Sequence, residues 1–462
     1  MGVLIFGAGN TYQKYKHLID RDKILAFIDN SSYKQGKIID GKIVLSVKDG
    51  LKLNYEYIYI MSVSYDEMYQ ELVFGGVPET KILGIHNLDK IVRKSSEQIH
   101  INNEMCHKRV IAFSHNLSLS GAPWALYGLM KILKSHDYNV QVASSTDGEL
   151  RKYYERENIK VIIDEKIDIV SLDGLDWIRS ANFIIVNTFL LYYLLERENS
   201  DIQVLWWIHE PEDLYKDVCG LHNINLDRVS VYAVSKVAED AFHKVLPQIN
   251  VQSLVGGIED CGYIAQAEHR EQTLTILDIG AINKIKGQDI LINAVKSLDN
   301  QITNCFKVYL IGEYDKQGYF FNNQIKGVID TAYLSKTIMY VGNYNYEQMQ
   351  KAYQNADIVV VPSRHETLSL VAIEAMMYGK ICIVSNACGI CEYIRDRENG
   401  IVFESENSDQ LKQAILWVIN NPDKVKEIRK KARETFLKYF NITIFEKKVI
   451  TVAGQIESSP QI

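Results

Sequence analysis

The sequence predicts an α/β chain of parallel sheets arranged in three lobes. Its 462 residues exceed one ordinary domain. Short β-branched runs alternate with stretches of helical spacing, which is the rhythm of βαβ units. Glycine or polar residues follow many of those runs, at the strand ends where parallel sheets collect ligands.

The first lobe opens with the run Val3 to Phe6, the turn Gly7-Ala8-Gly9, and a second run Ile24 to Ile28 that ends on Asp29. Strand, glycine turn, helix, strand and terminal acid form the dinucleotide-fold layout, which makes Gly7, Gly9 and Asp29 candidate nucleotide contacts. A strand at Tyr57 to Met61, a helix at Asp66 to Phe74 and a strand at Lys81 to Gly84 continue the alternation. The lobe resembles the small Rossmann-like domains fused to polysaccharide-synthesis enzymes. Tyr12 replaces the third glycine, so a Rossmann-like fold is expected without bound NAD, and a nucleotide-sugar or a structural role is equally open. The lobe is assigned residues 1–97, with a polar linker at 98–107.

A second series of strands runs through Arg109 to Phe113, Val140 to Ala143, Val161 to Ile163, Phe183 to Val186, the run from Val204, and Ser230 to Val234. A small-residue loop containing Ser120 and Gly121 follows the first of these. His209 and Glu210 end the Val204 run, and Pro211 suits the first turn of a helix after it. Ser235 is placed to cap the next helix, and Gln252 to Asp260 reads as a hinge.

The third series begins at Leu274 to Ile279, followed by Gly280, Lys284, Lys286 and Gly287. Strands at Val308 to Ile311 and Met339 to Val341, the latter with Gly342 and Asn343 behind it, precede a helix over Asn345 to Ala356. A buried strand at Ile358 to Val361, a loop through Arg364 and Glu366, a helix from about Ser369 to Tyr378 and a strand at Ile381 to Val384 make one βαβ crossover. Unpaired N–H groups near Ser369 and Leu370 form a seat for phosphate. Glu366 and Glu374 could grip hydroxyls on either side of a diphosphate held there. Amphipathic helices close the chain, with Leu411, Ile415, Val418 and Ile419 inward.

Glu366-x7-Glu374, with Ala375-Met376, Gly379, Ser385, Gly389, Glu392 and Asn399-Gly400, resembles the donor-site signature of retaining glycosyltransferases, most closely family 4 with the GT-B fold. The resemblance covers roughly Lys108 to Gln455. It implies an acceptor domain at 108–258, a nucleotide-sugar donor domain at 259–440 and a returning C-terminal helix at 441–462, with the first two facing a cleft. It also implies Glu366 on the sugar hydroxyls, Glu374 on the ribose, Lys286 on the diphosphate, and His209 near the reaction centre. Ser120 and Gly121 would touch acceptor or phosphate, while Gly280, Lys284, Gly342, Asn343, Ser369 and Leu370 would line the donor. Arg364 reads equally as a phosphate contact or a surface charge. Ala281 and Ile285 stand where the family commonly has an arginine, and Lys284 offers a charge without the bidentate fork.

The implied activity is transfer of a hexose-type sugar from a nucleotide-sugar, with UDP the expected nucleotide and no metal or other cofactor required, to a saccharide or lipid-linked acceptor in surface polysaccharide synthesis. Two alternatives stay open: a sugar-nucleotide-binding subunit without turnover, and a nucleotide-sugar epimerase. A formal charge of −7 and a pI near 5.9 argue against nucleic acid as a partner. The apolar run Gly2 to Phe6 is too short for a signal peptide, and Phe183 to Leu195 is too short to span a bilayer, so a cytoplasmic protein is expected. The basic stretch Lys424 to Lys438 reads as a solvated helix or as contact with the inner face of a membrane. Homo- or hetero-oligomers are both open. Seven cysteines with irregular spacing fit a reducing compartment, and Cys388-x-x-Cys391, without a second such pair, reads as structural.

Overall fold

The computed structural model describes residues 2–93, 108–196, 201–215, 224, 226–261, 273–314, 318–330 and 334–458. The expected linker at 98–107 lies outside them. By packing, the chain falls into two compact units: Met1–Trp206 with Asp217–Ser230 and Gln455–Ile462, and Trp207–Lys216 with Val231–Gly454.

The first sheet is built from β1 (Gly2–Phe6), α1 (Asn10–Tyr15), β2 (Ile24–Ile28), β3 (Ile38–Ile39), β4 (Lys42–Leu45), α2 (Val47–Gly50), β5 (Tyr55–Ile60), α3 (Tyr65–Phe74) and β6 (Ile82–Leu83). Its strand order is β3-β4-β2-β1-β5-β6. The expected strands and helix are present, each within two residues of the reading at either end. The β3–β4 pair is an antiparallel hairpin that the sequence reading did not contain. Asp40 and Gly41 turn it with φ of 45° and 81°, the positive angles a two-residue hairpin turn requires.

The second sheet contains β7 (Arg109–Ser114), α4 (Gly121–Ser135), β8 (Asn139–Ser144), α5 (Arg151–Arg156), β9 (Lys160–Ile163), β10 (Phe183–Asn187), β11 (Gln203–Ile208), β12 (Val229–Ala233), α6 (Lys236–His243) and β13 (Val251–Ser253). The order is β13-β12-β11-β10-β7-β8-β9. β7 and β10 are buried at every position, as central strands covered on both faces must be. Ser235 caps α6 as expected, its Oγ accepting from the Ala238 N–H at 3.3 Å. After Pro211 the described residues form a 3-10 turn, Glu212–Tyr215.

The third sheet is formed by β14 (Leu274–Ile279), α7 (Gln288–Lys296), α8 (Asn300–Thr303), β15 (Phe306–Ile311), α9 (Gly327–Ile329), β16 (Ile338–Gly342), α10 (Tyr346–Asn355), β17 (Ile358–Val361), α11 (Leu370–Met377), β18 (Ile381–Ser385) and β19 (Ile401–Phe403). Three helices follow: α12 (Ser408–Asn420), α13 (Pro422–Tyr439) and α14 (Ile442–Ser458). The order β16-β15-β14-β17-β18-β19 is parallel throughout. The chain runs outward from β14 in one direction, then returns to its other side at β17. That reversal makes the β14/β17 boundary the switch point where ligands gather.

The segment read as a hinge is tied down at its end. The Ile258 N–H donates to Phe440 O and the Ile442 N–H to Ile258 O, each at 2.9 Å. Within the first unit, the N-terminal lobe is bonded to the lobe after it by polar groups. Leu88 N–H donates to Ile169 O at 2.8 Å, Asn87 Nδ2 to Glu196 Oε2 at 2.6 Å, and Ser171 N–H to Asp89 Oδ1 at 3.0 Å. His86 bonds Asp168 O through Nδ1 at 2.6 Å and stacks on Tyr193 with ring centres 4.1 Å apart. Burial pushes the Glu196 carboxyl up to about 7.

The basic helix α13 keeps Val425, Ile428, Ala432 and Phe436 on its buried side, and Lys424, Lys426 and Lys430 exposed. No helix among the described residues is long and apolar enough to cross a membrane. Phe436 is fully buried against the third sheet's core. Phe436→Ala is expected to cost about 3–5 kcal/mol, against less than about 0.5 kcal/mol for Lys430→Ala, read from denaturant midpoints.

Candidate functional site

Four strand ends of the third sheet, those of β14, β15, β16 and β17, carry candidate residues. After β14 the chain must return sharply, and two glycines allow it. Gly280 has φ of 149°, and the side-chain carbons of Lys286 lie 3.6–3.7 Å from where its Cβ would be. Gly287 has φ of 73°, and a Cβ there would stand 2.2 Å from Pro362 O at the end of β17. Only glycine permits both that angle and that approach. The Asn283 and Gln288 side chains hold the loop between. Lys286 N–H donates to Asn283 Oδ1 at 3.0 Å, and Gln288 donates through Nε2 to Ala281 O at 3.2 Å while its Oε1 accepts from Asn283 N–H at 3.3 Å.

This brings Lys286 to Glu366: Nζ and Oε1 are 3.0 Å apart, the side chains 30% and 15% exposed. Ser363, itself buried, donates its hydroxyl to Glu366 Oε2 at 2.8 Å. The carboxylate is therefore fixed by one neutral and one cationic donor.

Arg364 is held by protein partners. Its guanidinium forms a two-pronged pair with Asp289 at 2.9 Å on each side, and also reaches Glu406 Oε1 at 2.7 Å and Lys284 O at 2.6 Å. It fastens the Lys284 loop to the β17 end, a structural use that spacing could not reveal. Beside it lies a cavity of ≈ 520 Å³, lined by Lys284, Ile285, Arg364, His365, Ala387, Ser405 and Glu406.

Helix α11 starts at the same edge. Ser369 Oγ caps it by accepting from Ala372 N–H at 3.4 Å. The N–H groups of Leu370 and Val371 have no acceptor among the described residues. Glu374 lies further along α11, where its Oε2 accepts from Tyr353 Oη at 2.5 Å. Burial raises the Glu374 carboxyl above its ordinary range, and the Tyr353 hydrogen bond works against that rise. At the β15 and β16 ends, Asn343 Nδ2 donates to Glu313 Oε1 at 3.2 Å, and Gly342 takes φ of 74° with open space on its Cβ side.

The other expected residues lie on the first two sheets. His209 ends β11, its N–H donating to the Glu210 carboxylate at 2.9 Å and its ring 4.5 Å from Trp207. Ser120 precedes α4 and shares a hydroxyl hydrogen bond with Ser118 at 2.7 Å, while the Cβ side of Gly121 is open. In the N-terminal lobe Gly7 has φ of 101°, and Lys34 Nζ lies 4.0 Å from a Cβ built on Gly9. Asp29 already has protein partners: Lys34 Nζ at 2.8 Å, Ala8 N–H at 3.2 Å and Ser31 N–H at 2.9 Å. Burial works to raise its carboxyl, but these donors together hold it below its ordinary range. Cys388 and Cys391 are thiols pushed up by burial, Cys391 to about 11, and no group of three potential metal ligands occurs among the described residues.

Sequence reasoning missed Asp278. It sits on β14 at 2% exposure, with Oδ2 lacking any partner, near Lys286, Glu366 and Asp289. It also missed Tyr353, whose place on the inner face of α10 gave no sign of a polar partner.

Comparison with known proteins extends the geometry. Residues 263–435 match the family described as glycosyl transferases group 1, and residues 106–248 match glycosyl-transferase family 4. Residues 1–83 match the C2185-like N-terminal family. Among solved structures, Anabaena HepE in complex with UDP and glucose aligns with TM-score 0.63 and 15% identity, covering 76% of this chain and 100% of that one. WaaG, a glycosyltransferase involved in lipopolysaccharide biosynthesis, aligns with TM-score 0.57 and 14% identity, covering 76% of this chain and 100% of its own. The chain has the GT-B fold.

Relatives of this GT-B chain by sequence include an uncharacterized glycosyltransferase of Methanocaldococcus jannaschii, 31% identical over 176 residues, or 38% of this chain and 46% of the relative. The lipopolysaccharide 1,2-N-acetylglucosaminetransferase of Salmonella typhimurium is 29% identical over 174 residues, or 37% and 45%. The chain spans about half the length of the curated relatives it matches first.

Burial pushes the Asp278 carboxyl well above its ordinary range, with Lys286 opposing and Glu366 adding to the rise. A group raised on folding stabilises fully below its unfolded value, near 3.9, and that contribution is lost as pH climbs above it. Asp278→Asn is therefore expected to raise the melting temperature at about pH 8 and leave it nearly unchanged at about pH 4, measured by thermal unfolding.

Proposed function

We propose that the chain is a retaining glycosyltransferase that moves a hexose-type sugar from a nucleotide-sugar to a saccharide or glycoconjugate acceptor during surface polysaccharide synthesis. The observation that carries this reading is the Lys286–Glu366 pair at the third sheet's switch point, in the loop that leads into the open N–H groups at the start of α11, the helix that carries Glu374. A cation, free backbone donors and a carboxylate at one strand edge, with a second carboxylate further along the helix that starts there, suit a sugar diphosphate. UDP is the nucleotide proposed, because the HepE structures hold UDP, UDP with glucose, or UDP-glucose.

Lys286 and the Leu370 and Val371 N–H groups would stabilise the charge that grows on the diphosphate as the C1–O bond breaks and its electron pair leaves with phosphate. The sugar passes through an oxocarbenium-like state. Glu366 would hold its hydroxyls and Glu374 the ribose. Gly280 and Lys284 would serve the diphosphate side, His365, in the lining of the adjacent cavity, the sugar side, and Gly342 and Asn343 the nucleobase side. His209 is assigned to the reaction centre, and Ser120 with Gly121 to acceptor or phosphate. The acceptor hydroxyl would add to C1 and give its proton to the departing phosphate oxygen. A lipid-carried acceptor would place the exposed lysines of α13 near an anionic surface.

Incubation with a panel of nucleotide-sugars and saccharide acceptors tests the reading. Free nucleoside diphosphate together with a glycosylated acceptor is expected. An isomerised donor would make the chain an epimerase, and binding without turnover would make it a donor-holding subunit. Glu374→Ala is expected to lower donor kcat/KM by at least about tenfold, or about 1.4 kcal/mol, which is modest for one buried hydrogen-bonded carboxylate. Unchanged kinetics would show that Glu374 is misassigned.

A further inference from the structure

We propose that Tyr353 is a positioning residue for donor binding: its hydroxyl fixes one oxygen of Glu374 so that the other faces the ribose. This rests on the ribose role proposed for Glu374. Tyr353 belongs to α10, the helix between β16 and β17, and is 2% exposed. Its ring stacks on Tyr378 with centres 5.3 Å apart and planes within 9°, which leaves the hydroxyl one direction to point. That direction ends at Glu374 Oε2, 2.5 Å away. Glu374 Oε1 has no partner among the described residues, and the side chain keeps partial exposure on the α11 face. One oxygen is thus held from behind while the other is open to a ligand.

The arrangement matters because a ribose hydroxyl pair donates most strongly to an ionised carboxylate. Burial pushes Glu374 toward its neutral form, and the Tyr353 hydrogen bond is the opposing influence. Burial also keeps the Tyr353 phenol protonated far above neutral pH, so it acts as a donor throughout the working range. Other titratable or charged groups that bond the α11 backbone or flank it are Tyr378 at its own end, Cys382 of β18, whose Sγ donates to Ala372 O, and Arg433 of α13, which donates to Met377 O, with Arg429 one turn away on α13. Both arginines are committed, to Asp260 and Met377 O and to Asp357 respectively. Cys261 lies against Tyr346 of α10, with Sγ and Oη 3.6 Å apart. Burial holds Cys382 protonated, up to about 12, and raises Tyr378 further. That leaves Glu374 as the carboxylate whose titration follows Tyr353.

The expected behaviour is a pH limb. As pH falls through the raised Glu374 value, the group takes a proton and its grip on the ribose weakens. Removing the Tyr353 hydroxyl moves that limb to higher pH. The experiment measures the affinity of whichever of UDP, GDP, ADP or dTDP the full-length protein binds best, from about pH 5.5 to 9. Tyr353→Phe is expected to weaken binding at least about tenfold on the acid limb and to recover to within about threefold at the alkaline end of the range. An equal loss at every pH would mean that the tyrosine only packs, and an unchanged limb would mean that it does nothing for Glu374; either overturns the proposal. Should Tyr353→Phe fail to fold, 3-fluorotyrosine at position 353 gives a stronger donor and is expected to move the limb to lower pH; no movement overturns the proposal. Glu374→Gln separates the two readings. If Glu374→Gln binds like wild type, or if none of the four nucleotides binds wild type, the ribose role itself fails. If Glu374→Gln weakens binding while Tyr353→Phe leaves the limb unmoved, only the positioning role fails.

Discussion

The close approach of Gly287 to the Pro362 carbonyl is the constraint on which the site depends. No side chain fits between the two backbones, so the loop after β14 is pressed against the end of β17. The consequence is chemical. Lys286, one residue before, is delivered to Glu366, four residues after Pro362. Arg364 then ties the same loop down from the β17 side through Asp289 and Lys284 O. A cation and a carboxylate meet because two strand ends cannot avoid each other, with parallel pairing of β14 and β17 setting the height at which they do.

Much of this was legible in the sequence. Strand existence follows from β-branched runs, because a strand buried on both faces tolerates little else. Leu274–Ile279 and Ile358–Val361 were placed to the residue. The glutamate pair belongs to a motif whose spacing is itself a consequence of strand, loop and helix lengths, Lys286 to the loop before Gly287, and the α11 start to a helical pattern. The Asp40-Gly41 hairpin shows only in its turn residues, since a two-residue β3 is shorter than any periodicity can register.

What stayed hidden depends on contacts across the fold. Nothing local distinguishes Arg364 as a clamp from Arg364 as a ligand, because Asp289 and Glu406 reach it from separate elements. Tyr353 looks like any inward aromatic on an amphipathic helix until Glu374 is seen on its hydroxyl. Asp278 reads as an interruption of an apolar strand, and its burial becomes visible only once the sheet is assembled. In the N-terminal lobe, the acid that ends β2 was visible, but its capture by Lys34 five residues later was not.

The attachment of that first lobe has a further consequence. Asn87, Asp89, His86 and Leu88 join it to the following lobe through side chains and backbone, several of them away from water. Covalent continuity through positions 94–107 is therefore not what keeps the two together. A protease that severed the chain there would yield two fragments that still travel as one species on a sizing column, and only a denaturant would part them.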